Sequence, residues 1–309
     1  MILNQGIYAM FSEPSPSNIK RALVTGATSH LGEKLVNRLL SDGAVVHCLA
    51  RPSSDLGALE NTSAIVHRYD GSYDHMQAIA GEAAPDVVFH LASRYLRTHH
   101  ADQIDDLIAS NVSLGVQLLE ALAKLNGCRF INAGSYFQYL DGPEYHPVNL
   151  YAATKQAFQD ILAYYHEAHD IDVTMLILFD IYSRNDPRPK LMTALRDALK
   201  SGSPQPMTGA DIKVDLIYID DVVDALIHSA CTDIGVGPYA VSGGTRHSLR
   251  EVVKVFEDIG QKPINCQWGE FSLAPRTPVK PWDGPSLPGW TARIDLKAGV
   301  TRMLKEERS

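Results

Sequence analysis

The sequence predicts an α/β protein built on a doubly wound parallel sheet, with a smaller C-terminal lobe. Three observations predict it. Short β-branched and apolar runs alternate with amphipathic stretches from residue 19 to about 176. One run, "PDVVFHLAS", is apolar almost throughout, as a strand covered on both faces must be. A small-residue turn, "TGATSHLG", joins the first run to the first amphipathic stretch. The 309 residues, 45% hydrophobic and 21% charged, suit a soluble chain with one large core or two lobes sharing one.

Residues 1–18 lack the basic start and apolar centre of a signal peptide and read as a flexible arm ending in a Pro/Ser stretch. "KRALVTGATSHLGEKLVNRLLSDGAVVHCLAR" then reads strand–helix–strand, with Leu31, Leu35 and Leu39 on one helical face. "AIVHRYD" and "PDVVFHLAS" are the third and fourth strands. "IASNVSLGVQLLEALAKLNG" is a long helix closed by Gly127, and "CRFINAGS" the fifth strand. Residues 149–169 form a further helix, and "VTMLILFDIYS" is read as one sixth strand. Strands alternating with helices give a parallel sheet. Past residue 177 the alternation loosens. Pro187, Pro189, Pro204 and Pro206 flank one helix, "KLMTALRDALKSG". "IKVDLIYIDDVVDALIHSA" returns a strand and a helix, and "KPWDGPSLPGWTARID" is turn-rich. Residues 19–176 are therefore taken as the sheet domain and 177–309 as a second lobe interleaved with it.

The net charge of −8 argues against nucleic acid or an anionic membrane as partner, and no run of 18 apolar residues appears. Four scattered cysteines without a CxxC read as reduced, mostly buried thiols of a cytoplasmic protein. His99 and His100 have no third ligand at a useful spacing, so no metal is expected.

Gly26 and Gly32 bracket the turn after the first strand, with Ser29 midway. A helix N-terminus offers unpaired N–H groups and partial positive charge, which suits a pyrophosphate. Gly26 permits the tight turn and Gly32 lets the helix approach the sheet, so a Rossmann-type dinucleotide site is expected here. Arg51 ends the second strand, where an acid would hold a ribose 2′-hydroxyl and an arginine a 2′-phosphate. NADP is expected over NAD. Asp70 either accepts from the adenine amine or holds the turn before Gly71.

Tyr151 and Lys155 lie four apart on a helix and share a face. An ammonium beside a phenol is expected to lower its pKa and make it a usable proton donor or acceptor. Lys155 can also grip cofactor ribose hydroxyls. Ser135, at the end of the fifth strand, is placed to hydrogen-bond the same substrate oxygen, and Asn111 to orient the lysine through water.

With these residues in view, the chain resembles the extended short-chain dehydrogenases/reductases, in the NAD(P)-dependent nucleotide-sugar epimerase/dehydratase branch. The carrying segments are "TGATSHLG", "DVVFHLAS", "NVSLGVQLLEAL", "INAGSYFQY", "NLYAATK", "VTMLILFDIYS" and "VDLIYIDDVVDAL". The resemblance implies Ser135, Tyr151 and Lys155 as the catalytic trio. It implies Gly26, Ser29, His30, Leu31, Gly32, Arg51, Asp70, Leu91, Ala92, Ser93 and Asn111 around the cofactor. It also implies a nucleotide-diphosphate sugar in the second lobe. Arg94, Tyr95, Tyr136, His99 and His146 are candidates for the sugar, and Lys190, Lys213, Arg246 and Arg276 for the diphosphate. Ser29 replaces a common glycine, and Asp180 a common asparagine that contacts substrate phosphates. Such proteins often pair through two long helices, here residues 103–126 and 149–169.

The same resemblance separates reactions. Sugar dehydratases of the branch carry an acid pair directly after the strand-end serine, and C3/C5 epimerases a cysteine two places on. Here those places hold Tyr136 and Phe137. The expectation is NADPH-dependent reduction of a 4-keto group on a nucleotide-linked deoxysugar, as in the group containing CDP-abequose and CDP-paratose synthases. The tail tryptophans, Trp282 and Trp290, are expected to anchor core or lid. The rival expectations are a 4-epimerase with tightly held NAD, a non-catalytic NADP-sensing protein, and a reductase of small phenolic or aldehyde substrates.

Overall fold

The computed structural model describes residues 17–125 and 127–305. Most of the expected N-terminal arm, residues 1–16, lies outside the described residues.

The strands of the first half are β1 (Arg21–Thr25), β2 (Val45–Ala50), β3 (Ile65–Arg68), β4 (Val87–His90), β5 (Arg129–Ser135) and β6 (Asp172–Leu178). Between them run α1 (His30–Ser41), α2 (Tyr73–Ala83), α3 (Ile104–Ile108), α4 (Leu114–Leu122) and α5 (Leu150–His169). The second half holds β7 (Asp180–Tyr182), α6 (Leu191–Ser201), β8 (Gln205–Met207), β9 (Lys213–Tyr218) and α7 (Ile219–Cys231). It closes with β10 (Tyr239–Val241), β11 (Arg246–Ser248), α8 (Leu249–Gly260), β12 (Cys266–Trp268) and α9 (Leu296–Leu304).

The main sheet is parallel, in the order β10-β6-β5-β4-β1-β2-β3. Successive strand residues point to opposite faces. Val24, Val46, Phe89 and Ile131 pack with Leu35 and Leu39 of α1 and Val222 and Leu226 of α7. Leu23, Leu49, Val88 and Phe130 pack on the other face with Met76 of α2, Leu118 of α4 and Phe158 of α5. Burying a ring such as Phe89 or Phe130 contributes about 1.5–3 kcal/mol. The strand order reverses between β1 and β4, and loops at the carboxyl ends there form the ligand-binding crevice of such sheets.

Four features differ from the sequence reading. The apolar run at 173–183 is two strands. β6 belongs to the main sheet, and after Phe179 the chain enters a separate sheet, β11-β9-β7. The long helix is interrupted by one π-helical turn at Ala109–Ser113 and ends at Leu122, so Gly127 belongs to the following turn and not to a cap. β10, which the sequence reading did not give as a strand, forms the edge of the main sheet beside β6. Of the cysteines only Cys48 and Cys128 are buried; Cys266 is half-buried and Cys231, at the end of α7, is exposed. All four are free thiols. Among the described residues no helix is long and apolar enough to cross a membrane.

At the amino ends of β1–β3 a hydrogen-bonded chain ties three strands together. The Arg21 guanidinium meets His47 Nε2 at 3.4 Å, and His47 Nδ1 lies 2.8 Å from His67 Nε2. Arginine can only donate, so the proton of neutral His47 sits on Nδ1 and points at His67. Glu82 of α2 lies beside this pair, but the 2.8 Å nitrogen separation is that of a hydrogen bond.

Candidate active site

The glycine turn is built as the sequence requires. Gly26 has φ +69°, and a Cβ there would lie 2.8 Å from Ala92 N. A Cβ on Gly32 would lie 2.2 Å from the Gly26 carbonyl oxygen. Both positions therefore demand glycine. Ser29 caps α1, its Oγ accepting from Gly32 N at 3.1 Å. That is what serine supplies where a glycine is common. His30 is half-buried and hydrogen-bonds Ser183 through Nε2, stitching the turn to the end of β7. Burial pushes the His30 imidazole below its ordinary value. Leu31 is half-buried and packs into the core.

Beneath the turn, Thr25 Oγ1 accepts from Ala92 N at 3.1 Å and meets His90 Nδ1 at 3.0 Å. His90 is fully buried, and burial together with the Lys155 charge pushes it down to about 3. Leu91, Ala92 and Ser93 thus leave the sheet along a fixed path. Arg51, just past β2, is exposed. Asp70 is exposed and holds the turn before α2: its carboxylate accepts from the backbone and hydroxyl of Ser72, each at 2.8 Å, and meets His75.

Ser135 ends β5. Its Oγ accepts from Phe137 N at 3.3 Å, and Gln138 Oε1 returns the favour by accepting from Ser135 N at 2.9 Å. Asn149 caps α5 by accepting from Ala152 N at 3.0 Å and reaches the Leu96 and Arg97 carbonyls, joining the 94–97 loop to the helix. Tyr151 is half-buried on the first turn, with the Tyr95 ring edge-on to it at 5.0 Å. Burial raises the Tyr151 phenol, and hydrogen bonds with Ser93 and Ser135 pull it back. Lys155 is buried, its Nζ donating to the Ala133 carbonyl at 2.9 Å, and burial pushes it down to about 8. The expectation that Lys155 lowers the phenol is therefore corrected. Lys155 gives one of its three N–H groups to β5, and desolvation of the phenol outweighs what the two hydroxyls return.

Asn111 sits on the π-helical turn, fully buried. Its Oδ1 accepts from Arg94 N at 2.7 Å and its Nδ2 donates to Arg94 O and to Thr154 Oγ1, at 3.1 and 2.9 Å. It fixes the loop and the residue beside Lys155 directly. Arg94 pairs with Asp106 at 2.8 Å, and Lys213 with Glu251 at 3.5 Å. Arg276 donates to the Pro147 carbonyl. His99 and His146 are exposed.

A second group adjoins Ser135. Tyr136 stacks on Phe179 at 5.1 Å and donates to Asp180 Oδ2 at 2.8 Å. Burial raises the Asp180 carboxyl, partly offset by the Lys190 charge, and burial lowers Lys190. Behind Phe179 opens a cleft of about 410 Å³, bordered by Asp215, Ser242, Arg246, Trp282 and Asp283. Arg246 donates to the Trp282 carbonyl at 2.7 Å and pairs with Asp283 at 3.1 Å. Sequence reasoning missed Thr25, Gln138, Thr154, Phe179 and Asp215. Only Gln138 left a local signal, the Ser-x-x-Gln spacing of a capping box.

Residues 22–235 match the model of the NAD dependent epimerase/dehydratase family. The chain belongs to that family. Across it the chain is 26% identical to the CDP-abequose synthase of Yersinia pseudotuberculosis, over 81% of this chain and 88% of that one. It is 30% identical to the UDP-glucose 4-epimerase of Mycolicibacterium smegmatis, over 92% and 97%. Among solved structures, UDP-glucuronic acid 4-epimerase from Bacillus cereus in complex with UDP-glucuronic acid and NAD superimposes with a TM-score of 0.80 at 21% identity, over 92% and 97% of the two chains. That likeness is one of fold. The family's NAD(P) fits the residues present: the glycine turn brings the N-terminus of α1 to the carboxyl end of β1, the place where a pyrophosphate is held by helix N–H groups.

Proposed function

We propose that the protein reduces the 4-keto group of a nucleotide-linked deoxysugar with NADPH. The observation that carries this reading is the wall beside Ser135. Tyr136 and Phe137 follow the serine with their rings 4.7 Å apart, and neither offers a carboxylate or thiol to a sugar carbon. A phenol and two hydroxyls suit delivery of one proton to one oxygen. Bound NADPH supplies the hydride. Tyr151 gives its proton to the substrate oxygen. Burial keeps that phenol protonated at neutral pH, as an acid must be. Ser135 polarises the carbonyl through its hydroxyl. Lys155, protonated below a pKa of about 8, holds positive charge under the end of β5 and within reach of ribose hydroxyls. Gly26, Ser29 to Gly32, Arg51 and Leu91 to Ser93 hold the dinucleotide.

The nucleotide-sugar lies along the cleft behind Phe179, in a lobe starting near residue 177. Arg246 borders the cleft and offers it positive charge, and Lys190 stands beside Asp180. Asp180 is kept from opposing that charge in two ways: Tyr136 donates to it, and burial favours its neutral form. The CDP-abequose synthase relatives support a deoxygenated sugar. Exposed apolar Ile104, Ile108 and Tyr164 support pairing of two copies through α3–α4 and α5.

Oxidation of NADPH with a panel of 4-keto nucleotide sugars tests the reaction. Tyr151→Phe should cut turnover about 10²–10⁴-fold while leaving NADPH affinity unchanged; retained turnover rejects the assigned acid. The Mycolicibacterium relative favours a second reading, a 4-epimerase with tightly held NAD. Stoichiometric NADPH consumption rejects it, and interconversion of UDP-sugars without net cofactor change establishes it.

A further inference from the structure

Residues 136–149 connect Ser135 to the helix carrying Tyr151, and another segment grips this connection from outside. The Asp141 carboxylate accepts from the backbone N–H of Val279 at 2.8 Å and of Lys280 at 2.9 Å. The Trp282 ring stacks on Tyr139 at 4.3 Å, and its Nε1 donates to the Pro143 carbonyl at 3.3 Å. Arg276 donates to the Pro147 carbonyl.

The same segment walls the cleft. Trp282, Asp283, Gly284 and Ser286 border it, and Arg246 holds the Trp282 carbonyl. Lys213 N donates to Val279 O at 3.4 Å and Ala240 N to Pro285 O at 2.7 Å, so the segment is also sewn to β9 and to the edge strand β10.

We propose that residues 276–286 form a strap that sets the width of the substrate cleft from the Ser135–Tyr151 connection, with Asp141 as its positioning residue. Asp141 is exposed and has φ +52°, the left-handed region that a residue other than glycine enters at a cost. Aspartate tolerates that region better than most side chains, and it brings one ionised acceptor to two neighbouring amides. An exposed aspartate in this conformation contributes nothing to the core. Among the described residues its side-chain hydrogen bonds run only to the strap. The effect belongs to binding of the sugar nucleotide, because the strap touches the cleft wall while Ser135, Tyr151 and Lys155 are fixed by Gln138, Asn149 and Ala133.

The catalytic consequence rests on the nucleotide-sugar reading of the cleft; the attachment itself does not. Three variants separate the contributions. Asp141→Asn keeps an acceptor and tolerates the backbone, Asp141→Gly relieves the backbone and removes the acceptor, and Asp141→Ala does neither. Hydrogen exchange of the Val279 and Lys280 amides in the full-length protein, without substrate, should quicken in the Gly and Ala variants and stay near wild type in the Asn variant. In the same proteins KM for the sugar nucleotide should rise about tenfold for Gly and Ala, with kcat and the KM for NADPH within twofold. If no 4-keto sugar is turned over, the dissociation constants of CDP-glucose and UDP-glucose by calorimetry take the place of KM, and only the reductase reading has failed. Unchanged exchange in Asp141→Gly overturns the attachment. Quickened exchange with unchanged KM or affinity overturns the role in the cleft.

Discussion

The backbone N–H of Arg51 is held by Ser54 Oγ at 3.1 Å, which leaves its guanidinium to solvent at the carboxyl end of β2. Arg68, ending β3, reaches back to the Pro52 carbonyl, so a second guanidinium stands at the same loop. This is the corner where the adenosine ribose lies in a doubly wound sheet. On the proposed NADPH reading, these two cations would meet the 2′-phosphate. Arg51→Asp should raise the KM for NADPH about 10–100-fold, the worth of a charge-assisted hydrogen bond, and leave that for NADH nearly unchanged. Steady-state kinetics with both cofactors reads the ratio; an unaltered ratio removes Arg51 from cofactor selection. Asp70, one loop away, binds Ser72 and His75, partners two and five residues on that any turn aspartate can find locally.

The π-helical turn between α3 and α4 widens the helix by one residue and directs Asn111 inward. One amide side chain then satisfies the Arg94 N–H, the Arg94 carbonyl and the Thr154 hydroxyl. Asn111→Leu strands these groups, which should cost about 1–3 kcal/mol of stability and misalign the loop that carries Ser93 toward Tyr151. Urea unfolding with an activity assay checks both effects; wild-type stability would mean that water replaces the amide. Asn111 was legible as a polar residue in an apolar helix, but the π turn that aims it was not, because helical periodicity hides one inserted residue. The glycine turn, Ser135 and the Tyr151–Lys155 face were legible for the opposite reason: each is set by spacing within one element. The cleft wall was not. Phe179, Asp215 and Trp282 meet only through tertiary packing, and the three-residue β10 is too short to carry a periodic signal. The run at 173–183 misled because apolar residues continue through Phe179 while the chain changes sheets.

At the scale of the molecule, four histidines among the described residues stand below their ordinary pKa for one shared reason, burial: His30, His47, His67 and His90. An unfolded histidine titrates near pH ~6.5. Between that value and each lower folded value the unfolded chain binds more protons than the native one, so stability rises with pH and is lost on acidification. His90 reaches down to about 3, with Lys155 its charged neighbour, and stays neutral through the whole range in which the unfolded chain takes up its proton. That one group should remove about 1.4 kcal/mol of stability between pH 7.5 and 5.5. The other three add to it where their folded values lie well below 6.5. Asp180, Asp215 and Asp221 act in the opposite sense, since burial raises them and the native state holds their protons longer, but chiefly nearer the ordinary carboxylate range. Urea midpoints measured from pH 7.5 to 5.5 should therefore fall, and His90→Asn, though less stable at pH 7.5, should fall by about 1.4 kcal/mol less over the same interval. An identical pH slope in the variant would mean that His90 is protonated in the native state, against its place between Thr25, Phe130 and Phe158 beneath the glycine turn.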